Sequence, residues 1–326
     1  LIRLTQTQGI AGYEKKVREL IEQEVRPYAD ELIIDPLGSL IAVKKGKGGP
    51  RSKKIMFAAH MDEIGFMVKK IEDDGRLLVC NVGWNWTASA YNTRVVFRNG
   101  IYGVVSSIKN IEEAHNDPNS LFIDIGAKSK EDALKYVHVG SVCGYCGEYL
   151  LVCSKTFDDR VGCFQLIEAL RENDGTYPND IYYVFTVQEE VGCRGSKTTA
   201  AFIKPDIGIA VDVTPAHDYP CDLTGSNAIG EGIGIKVADP SVLCDEDVIA
   251  AMEQCCRHKD IPFQYEVIDK GGCDASSMNL SNFGVRAGGI SVVTRYAHCS
   301  SSVISKEDAE AGIRLCTAFS KYEFQF

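Results

Sequence analysis

The sequence predicts an α/β fold: a mostly parallel sheet with helices on both faces, interrupted by a small all-β, barrel-like inserted domain. Three observations support this prediction. Strand-like apolar runs alternate with helical patterns in both end regions, the alternation stops between residues 66 and 155, and short strand-like runs separated by Gly and Asn turns fill that interval. We therefore expect an α/β domain of residues 1–65 and 156–326, with the insert at 66–155.

The first region predicts one helix, a hairpin and a buried strand. Apolar residues recur at helical spacing within residues 17–25, and Pro27 closes that segment. Two apolar runs then flank residues 36–38, Pro-Leu-Gly, which is typical of a hairpin. The run at 54–60 reads as a buried strand that ends at His60.

The remaining elements follow in order along the chain. Within the insert, strand-like runs occupy 76–83, 93–108, 121–127 and 141–153, and one short helical pattern lies near 129–137. After residue 157 the sequence predicts alternating helices and strands, which are listed in chain order: helix 160–173, strands 181–187 and 208–214, helix 245–259, strands 263–268 and 288–293, and a last helix. That helix begins at Ser305, with Asp308 three residues on, as in a capping box.

Composition excludes several classes of function. The chain has 35 basic and 45 acidic residues, a net charge of −10, and no basic stripe, so we expect no nucleic-acid partner. No apolar run reaches the roughly 18 residues of a membrane helix, so we expect no membrane association. An odd number of cysteines, 13, without a secretory signal favours a reducing, cytoplasmic location.

Histidines or carboxylates stand at or just after the end of five predicted strand segments. They are His60 and Asp62, Asp158 and Asp159, Glu189 and Glu190, Asp212, and His298. Because ligands bind at the carboxyl ends of strands in open α/β sheets, these groups converge on one crevice if the strands are neighbours.

This mixed set of nitrogen and oxygen donors suits Zn²⁺, and Co²⁺ or Mn²⁺ as well. The set is larger than a single catalytic zinc requires, and it fits two divalent metal ions about 3.5–4 Å apart that share a bridging carboxylate. Two metals would also explain why Glu189 and Glu190 are adjacent, because four positive charges turn their repulsion into attraction. One glutamate would bind a metal and the other would act as general base.

Each residue also has a plain structural interpretation. A histidine after a strand is more often a hydrogen-bonded core residue than a ligand. Asp158 and Asp159 could cap the helix that begins near Arg160, and Asp212 could end its strand as a turn residue.

Taken together, "HMDEIGFMV", "FDDRVG", "QEEVGCRGS", "VDVT" and "TRYAHCSSSVIS" resemble motifs of the glutamyl or deblocking aminopeptidases. These enzymes are also called tetrahedral aminopeptidases, and some carry the label endoglucanase M. The match runs in order from "GIAGYE" near the N-terminus to the last helix, and it includes "LFIDIGAKSKEDA" within the insert.

The resemblance implies a dinuclear-metal aminopeptidase that removes N-terminal residues from short peptides. It also implies a homo-oligomer, with dimers formed through the insert and closed into a tetrahedral dodecamer. By this resemblance His60 and Asp212 would hold one metal, Glu190 and His298 would hold the other, and Asp158 would bridge them.

Two further roles follow from the same resemblance. Glu189 would be the general base, and Asp62 would orient the imidazole of His60. The chain departs from the family pattern at Asp159, Cys273 and Cys299, and in the segment 82–94.

Two other functions compete with this hypothesis. A carbohydrate hydrolase would use two carboxylates across a sugar without a metal, so its activity would survive a chelator. A non-catalytic assembly protein that kept the fold would purify without metal.

Overall fold

The computed structural model describes residues 1–114, 117–150, 152–221 and 224–325. In these residues the chain forms an 11-stranded mixed sheet and a separate closed barrel. The fold class predicted from the sequence is confirmed. Residues 115, 116 and 151 of the predicted insert lie outside the described residues.

The large sheet has a parallel centre and antiparallel edges. Its strands are β1 (Glu31–Ile34), β2 (Leu40–Lys44), β3 (Lys54–His60), β10 (Cys153–Ser154), β11 (Asp180–Thr186), β12 (Ile207–Pro215), β13 (Ile233–Asp239), β14 (Val242–Leu243), β15 (Phe263–Val267), β16 (Arg286–Arg295) and β17 (Ser302–Ile304). The order is β1-β2-β11-β3-β12-β16-β13-β14, in which β11, β3, β12 and β16 are parallel. The pairs β1–β2, β2–β11 and β13–β16 are antiparallel, so the predicted hairpin is confirmed.

The parallel strands are buried on both faces because helices cover both. The helices are α1 (Ile2–Gln6), α2 (Lys15–Val25), α3 (Thr87–Ala90), α4 (Ile111–Ala114), α5 (Lys130–Ala133), α6 (Phe157–Glu172), α7 (Arg194–Ile203), α8 (Glu246–His258), α9 (Asp274–Asn279) and α10 (Lys306–Ser320). Phe57 and Phe185 pack towards α6 and α10, whereas Met56 and Val184 pack on the face of α7 and α9. Strand alternation therefore supplies two cores.

The cap predicted for the last helix is present in the structure. The hydroxyl of Ser305 accepts a hydrogen bond of 3.2 Å from the amide of Asp308, so the predicted start of α10 is confirmed. None of the described helices is long and apolar enough to cross a membrane.

The barrel closes in the order β4-β5-β8-β7-β6-β9, and every pair is antiparallel. Its strands are β4 (Gly65–Ile71), β5 (Leu77–Val82), β6 (Arg94–Phe97), β7 (Tyr102–Ser107), β8 (Leu121–Asp124) and β9 (Val142–Tyr145). Its own core includes Phe66, Phe97 and Ile123. Strand β10, although it lies within the predicted insert, pairs with β17 of the large sheet.

Candidate metal centre

The pairing register of β3 with β11 and β12 places the candidate residues side by side at the carboxyl ends of these central strands. His60 is the last residue of β3 and pairs with Thr186, directly before the segment that carries the two glutamates. On the other side, Ala58 of β3 pairs with Ala210 of β12, two residues before Asp212. Asp212 lies inside β12, so the alternative that it is a turn residue at a strand end is wrong.

His60 is buried and presents one ring nitrogen to a group of carboxylates. Its Nε2 lies 3.0 Å from Oδ1 of Asp158, 3.8 Å from Oδ1 of Asp212 and 4.0 Å from Oε2 of Glu189. Its Nδ1 lies 3.1 Å from the main-chain oxygen of Asp62. That hydrogen bond places a proton on Nδ1, so Nε2 is the nitrogen that would face a metal once it is deprotonated, as in metal-binding histidines.

His298 is arranged in the same way on the opposite side of Asp158. Its Nδ1 donates to the main-chain oxygen of Trp84 at 2.6 Å, and its Nε2 lies 3.3 Å from Oδ2 of Asp158. The two carboxylate oxygens of Asp158 therefore face the Nε2 atoms of two different histidines. This is the arrangement that a carboxylate bridging two metals requires.

The adjacent residues Asp158 and Asp159 have different surroundings. The carboxylate of Asp159 is fully buried and accepts hydrogen bonds of 3.0 Å from the amides of Gly162 and His60. The capping interpretation therefore applies to Asp159, which satisfies an amide of the first turn of α6. Asp158 instead faces the histidines.

The turn that carries the two glutamates is held by carboxylates from elsewhere in the chain. Asp62 accepts from the amides of Glu189 and Glu190 at 3.0 and 3.1 Å, and Glu14 accepts from the amide of Gln188 at 3.1 Å. Gln188 has a φ of 57°, so this unusual backbone is fixed by side-chain acceptors. The main-chain carbonyl of Asp62 accepts from Nδ1 of His60. The carboxylate of Asp62 holds the turn, and Oδ1 of that carboxylate also lies 3.6 Å from the same Nδ1.

The side chains of the two glutamates point to different histidines. Oε2 of Glu189 lies 4.0 Å from Nε2 of His60, and Oε2 of Glu190 lies 3.8 Å from Nδ1 of His298. The other oxygen of Glu189, Oε1, accepts from the thiol of Cys193 at 3.1 Å. The neighbours in sequence are thus separated in space by the turn.

Without a cation, burial makes Asp212, Glu189 and Glu190 hard to ionise. At Asp158 the hydrogen bonds from the two histidines outweigh burial and lower the pKa. Burial raises the pKa of Asp212 to about 7 and that of Glu190 to about 8, and it raises the pKa of Glu189 well above its usual value. Burial lowers the pKa of His60, but Asp158 and the other nearby carboxylates outweigh it and raise this pKa. A group of buried acids with unfavourable ionisation is the environment that a divalent cation stabilises.

The donor atoms are close enough to share metal ions. Atoms of His60, Asp158 and Glu190 lie within 4.8 Å of one another, and so do atoms of His60, Asp159 and Asp212. Both oxygens of Asp159 already accept main-chain hydrogen bonds, so we assign it a structural role. Imidazole nitrogen and carboxylate oxygen are suitable ligands for Zn²⁺, and the residues present fit metal binding.

Several residues around the site were not found from the sequence. Trp84 accepts from His298 through a main-chain oxygen, and such a contact leaves no signal in the side-chain type. Glu14 lies in the "GIAGYE" segment, but its target is a backbone amide. Asp274 accepts hydrogen bonds from Thr186 and Ser196 beside Glu189, and only folding brings these segments together.

Comparison with known proteins agrees with the sequence and with this geometry. The profile of the M42 glutamyl aminopeptidase family matches residues 38–315. A protein of Acetivibrio thermocellus is 43% identical over 320 residues, which cover 97% of this chain and 96% of that protein.

Solved structures with the same fold cover nearly the whole chain. The TET aminopeptidase of the marine sediment archaeon Thaumarchaeota archaeon SCGC AB-539-E09 superposes with a TM-score of 0.93 at 31% identity, over 99% of this chain and 96% of that one. The TET1 peptidase of Pyrococcus horikoshii, which can assemble into a tetrahedron or a large octahedral shell, has a TM-score of 0.84 at 30% identity, over 99% and 98%. The resemblance found in the motifs is confirmed: the chain belongs to the M42 glutamyl aminopeptidase family.

Proposed function

We propose that this protein is a dinuclear-metal aminopeptidase that hydrolyses N-terminal residues from short peptides. The observation that carries the proposal is the position of Asp158, whose Oδ1 and Oδ2 face the Nε2 atoms of His60 and His298 at 3.0 and 3.3 Å. A single carboxylate between two imidazoles, with further carboxylates on each side, fits a pair of metals that share one bridging ligand.

The ligands divide into two sets around that bridge. His60 and Asp212 would hold one ion, Glu190 and His298 would hold the other, and Asp158 would contact both. The distance of 3.8 Å between His60 and Asp212 supports the first set. We expect Zn²⁺, and Co²⁺ or Mn²⁺ also suit these donors.

Glu189 is the proposed general base. Bound divalent ions would polarise the peptide carbonyl and lower the pKa of a coordinated water towards about 7. Glu189 would accept a proton from the attacking water at Oε2 and later deliver it to the leaving amine. Burial raises the pKa of Glu189 well above its usual value, which suits the second step, because a carboxyl group that holds a proton more readily can return it to the amine. The thiol of Cys193 donates a hydrogen bond to Oε1 of Glu189, which leaves Oε2 of Glu189 facing the site.

We also propose a homo-oligomer in which the barrel forms dimers that close into a dodecamer. Support comes from the shells of the Pyrococcus horikoshii relative and from apolar side chains exposed on the barrel, among them Tyr102, Tyr136 and Val139. The proposed boundaries of the two domains remain 1–65 with 156–326, and 66–155. A sedimentation velocity profile with only monomers would contradict this assembly.

Metal removal tests the proposed function. We expect a chelator to abolish the hydrolysis of aminoacyl chromogenic substrates, and added Zn²⁺ or Co²⁺ to restore it, because the clustered carboxylates and imidazoles would hold the ions that activate the water. The same preparation should be assayed on cellulose. Cellulose hydrolysis that survives the chelator would favour the carbohydrate hydrolase instead, and protein that binds no metal and cleaves neither substrate would favour the assembly protein.

The metal-free protein should lose stability as the pH rises through neutrality. Glu190 and Asp212 have folded pKa values of about 8 and about 7, above those of exposed carboxylates, so their protonation stabilises the fold at lower pH and this contribution disappears as pH passes those values. The raised pKa values of His60 and His298 act in the same direction.

Metal binding requires the deprotonated ligands, so metal-loaded protein should show the opposite trend. We therefore expect the gap between the melting temperatures of loaded and metal-free protein to widen between about pH 6 and about pH 9. Differential scanning calorimetry of both forms measures it. A gap that stays constant across this range would contradict the assignment of these residues as metal ligands.

A further inference from the structure

A segment of the inserted barrel lies directly against the proposed metal centre. This segment, Gly83–Trp86, follows β5, and it contacts Glu190 and His298, the two residues that the proposed function assigns to the same metal. The inference below rests on that proposed function.

The first contact fixes the ring of His298. The main-chain oxygen of Trp84 accepts from Nδ1 at 2.6 Å, and the two rings have centroids 5.7 Å apart. The proton is therefore held on Nδ1, and Nε2 faces Asp158. A hydrogen bond to the second nitrogen of a histidine ligand fixes its tautomer and orientation and raises its basicity. His298 itself has a φ of 59°, so its position depends on such contacts.

The second contact places the backbone of Gly83 against Glu190. A Cβ atom on Gly83 would lie 3.1 Å from Cβ and from Oε2 of Glu190 and 2.7 Å from Cγ2 of Ile64. Gly83 also has a φ of 73°, which a residue with a side chain rarely adopts. The close approach lets this segment limit the positions that the Glu190 carboxylate can take.

Asn85 ties the segment to the wall of the barrel. Its side chain is buried, donates from Nδ2 to the main-chain oxygen of Gly65 at 3.1 Å, and accepts at Oδ1 from the hydroxyl of Tyr145 at 2.8 Å. Gly65 begins β4 and Tyr145 ends β9. These two hydrogen bonds connect adjacent barrel strands to the residue that follows Trp84.

We propose that Asn85 is a positioning residue for the metal ligand His298, so that the barrel completes the metal centre of its own chain. Asn85 holds the carbonyl of Trp84 under Nδ1 of His298, and the packing of Gly83 sets the position of Glu190. The inserted domain thus acts in metal binding as well as in assembly.

Metal titration of a graded set of variants tests this inference. Asn85→Ala removes both hydrogen bonds, and Tyr145→Phe removes only the one that the hydroxyl donates. The matched control is Asn99→Ala, because Asn99 is exposed in the same barrel and donates its amide to the main-chain oxygen of Tyr136 at 2.7 Å. Metal-stripped protein is dialysed against Co²⁺, and the bound ions and the visible spectrum of the cobalt are measured.

We expect Asn85→Ala to weaken the affinity for the more weakly bound ion by about tenfold, the lower end of the effect of losing a partner of a metal ligand. Tyr145→Phe should have a smaller effect, and Asn99→Ala should match the unsubstituted protein. The cobalt spectrum should change in Asn85→Ala, because the orientation of His298 changes. A merely structural role would lower the melting temperature without altering the affinity or the spectrum.

Unchanged affinity for both ions in Asn85→Ala would overturn the inference. If that variant does not fold, Tyr145→Phe takes its place, and unchanged affinity for both ions in Tyr145→Phe would overturn the inference. Trp84→Ala, which keeps the carbonyl, distinguishes the main chain from the ring: a loss equal to that of Asn85→Ala would also overturn it. Binding of only one ion by the unsubstituted protein would contradict the dinuclear centre. It would also overturn this inference, unless Asn85→Ala weakened the binding of that one ion.

Discussion

Replacing Glu189 with glutamine is expected to lower kcat by about 10³-fold, within the range attributed to general acid–base catalysis, while both metal ions stay bound. Glutamine has nearly the same shape, but its amide cannot accept a proton from water. The proposed ligands do not include Glu189, whose Oε2 lies 4.0 Å from Nε2 of His60 and whose Oε1 accepts from Cys193. The loss should therefore appear in turnover and not in metal content.

The measurement combines kcat on an aminoacyl substrate with elemental analysis of bound metal. Glu19→Gln is the matched control, because Glu19 is exposed on α2 and its ion pair with Lys15 is long, at 3.8 Å. If Glu189→Gln kept most of its turnover, Glu189 would not be the base. If it lost metal as well as activity, Glu189 would be a ligand.

Asp158→Asn should have an equally large effect through a different route. An amide offers one oxygen and no negative charge, so it cannot bridge two cations, whereas the carboxylate of Asp158 faces both histidines. We expect the variant to retain at most one ion per chain and to lose about 10³-fold in kcat/KM, since the remaining groups no longer share a metal pair. Metal content and single-substrate kinetics measure both quantities.

The neighbouring substitution Asp159→Asn should lower the stability of the protein and leave its metal content unchanged. The carboxylate of Asp159 accepts from the amides of His60 and Gly162, and an amide group placed there would turn an N–H donor towards one of them. We expect a loss of about 1–3 kcal/mol in the free energy of unfolding, because a buried donor is left unsatisfied, with metal content preserved. If Asp158→Asn kept two ions and Asp159→Asn lost them, the roles of these two residues would be exchanged.

Part of the site could be predicted from the sequence because His60, the two glutamates and His298 lie at or just after strand ends. The ends of β3 and β11 are visible as apolar runs that stop at His60 and just before Glu189, and parallel neighbours bring such ends together. The strands and long helices were predictable for the same reason: their apolar residues repeat with the period of the element.

Other parts of the fold leave a weak pattern. Helix α7 contains Gly195, Ser196 and two threonines, which are poor helix formers, and α9 has only six residues, so neither was predicted. They form because α7 and α9 pack on each other and on the buried face of the sheet. Packing against a sheet compensates for low intrinsic propensity, and a single sequence does not show that packing.

By itself the sequence determined the chemical types of the site: two imidazoles, a carboxylate pair after β11 and further carboxylates at neighbouring strand ends. The chemistry of the residues does not distinguish Asp158 from Asp159. The tertiary structure shows that Asp158 faces the histidines, because the two aspartates differ in their hydrogen-bond partners. It also assigned the carbonyl of Trp84 to His298. Main-chain contacts between distant segments depend on the position of the backbone in space, and side-chain identity does not encode them.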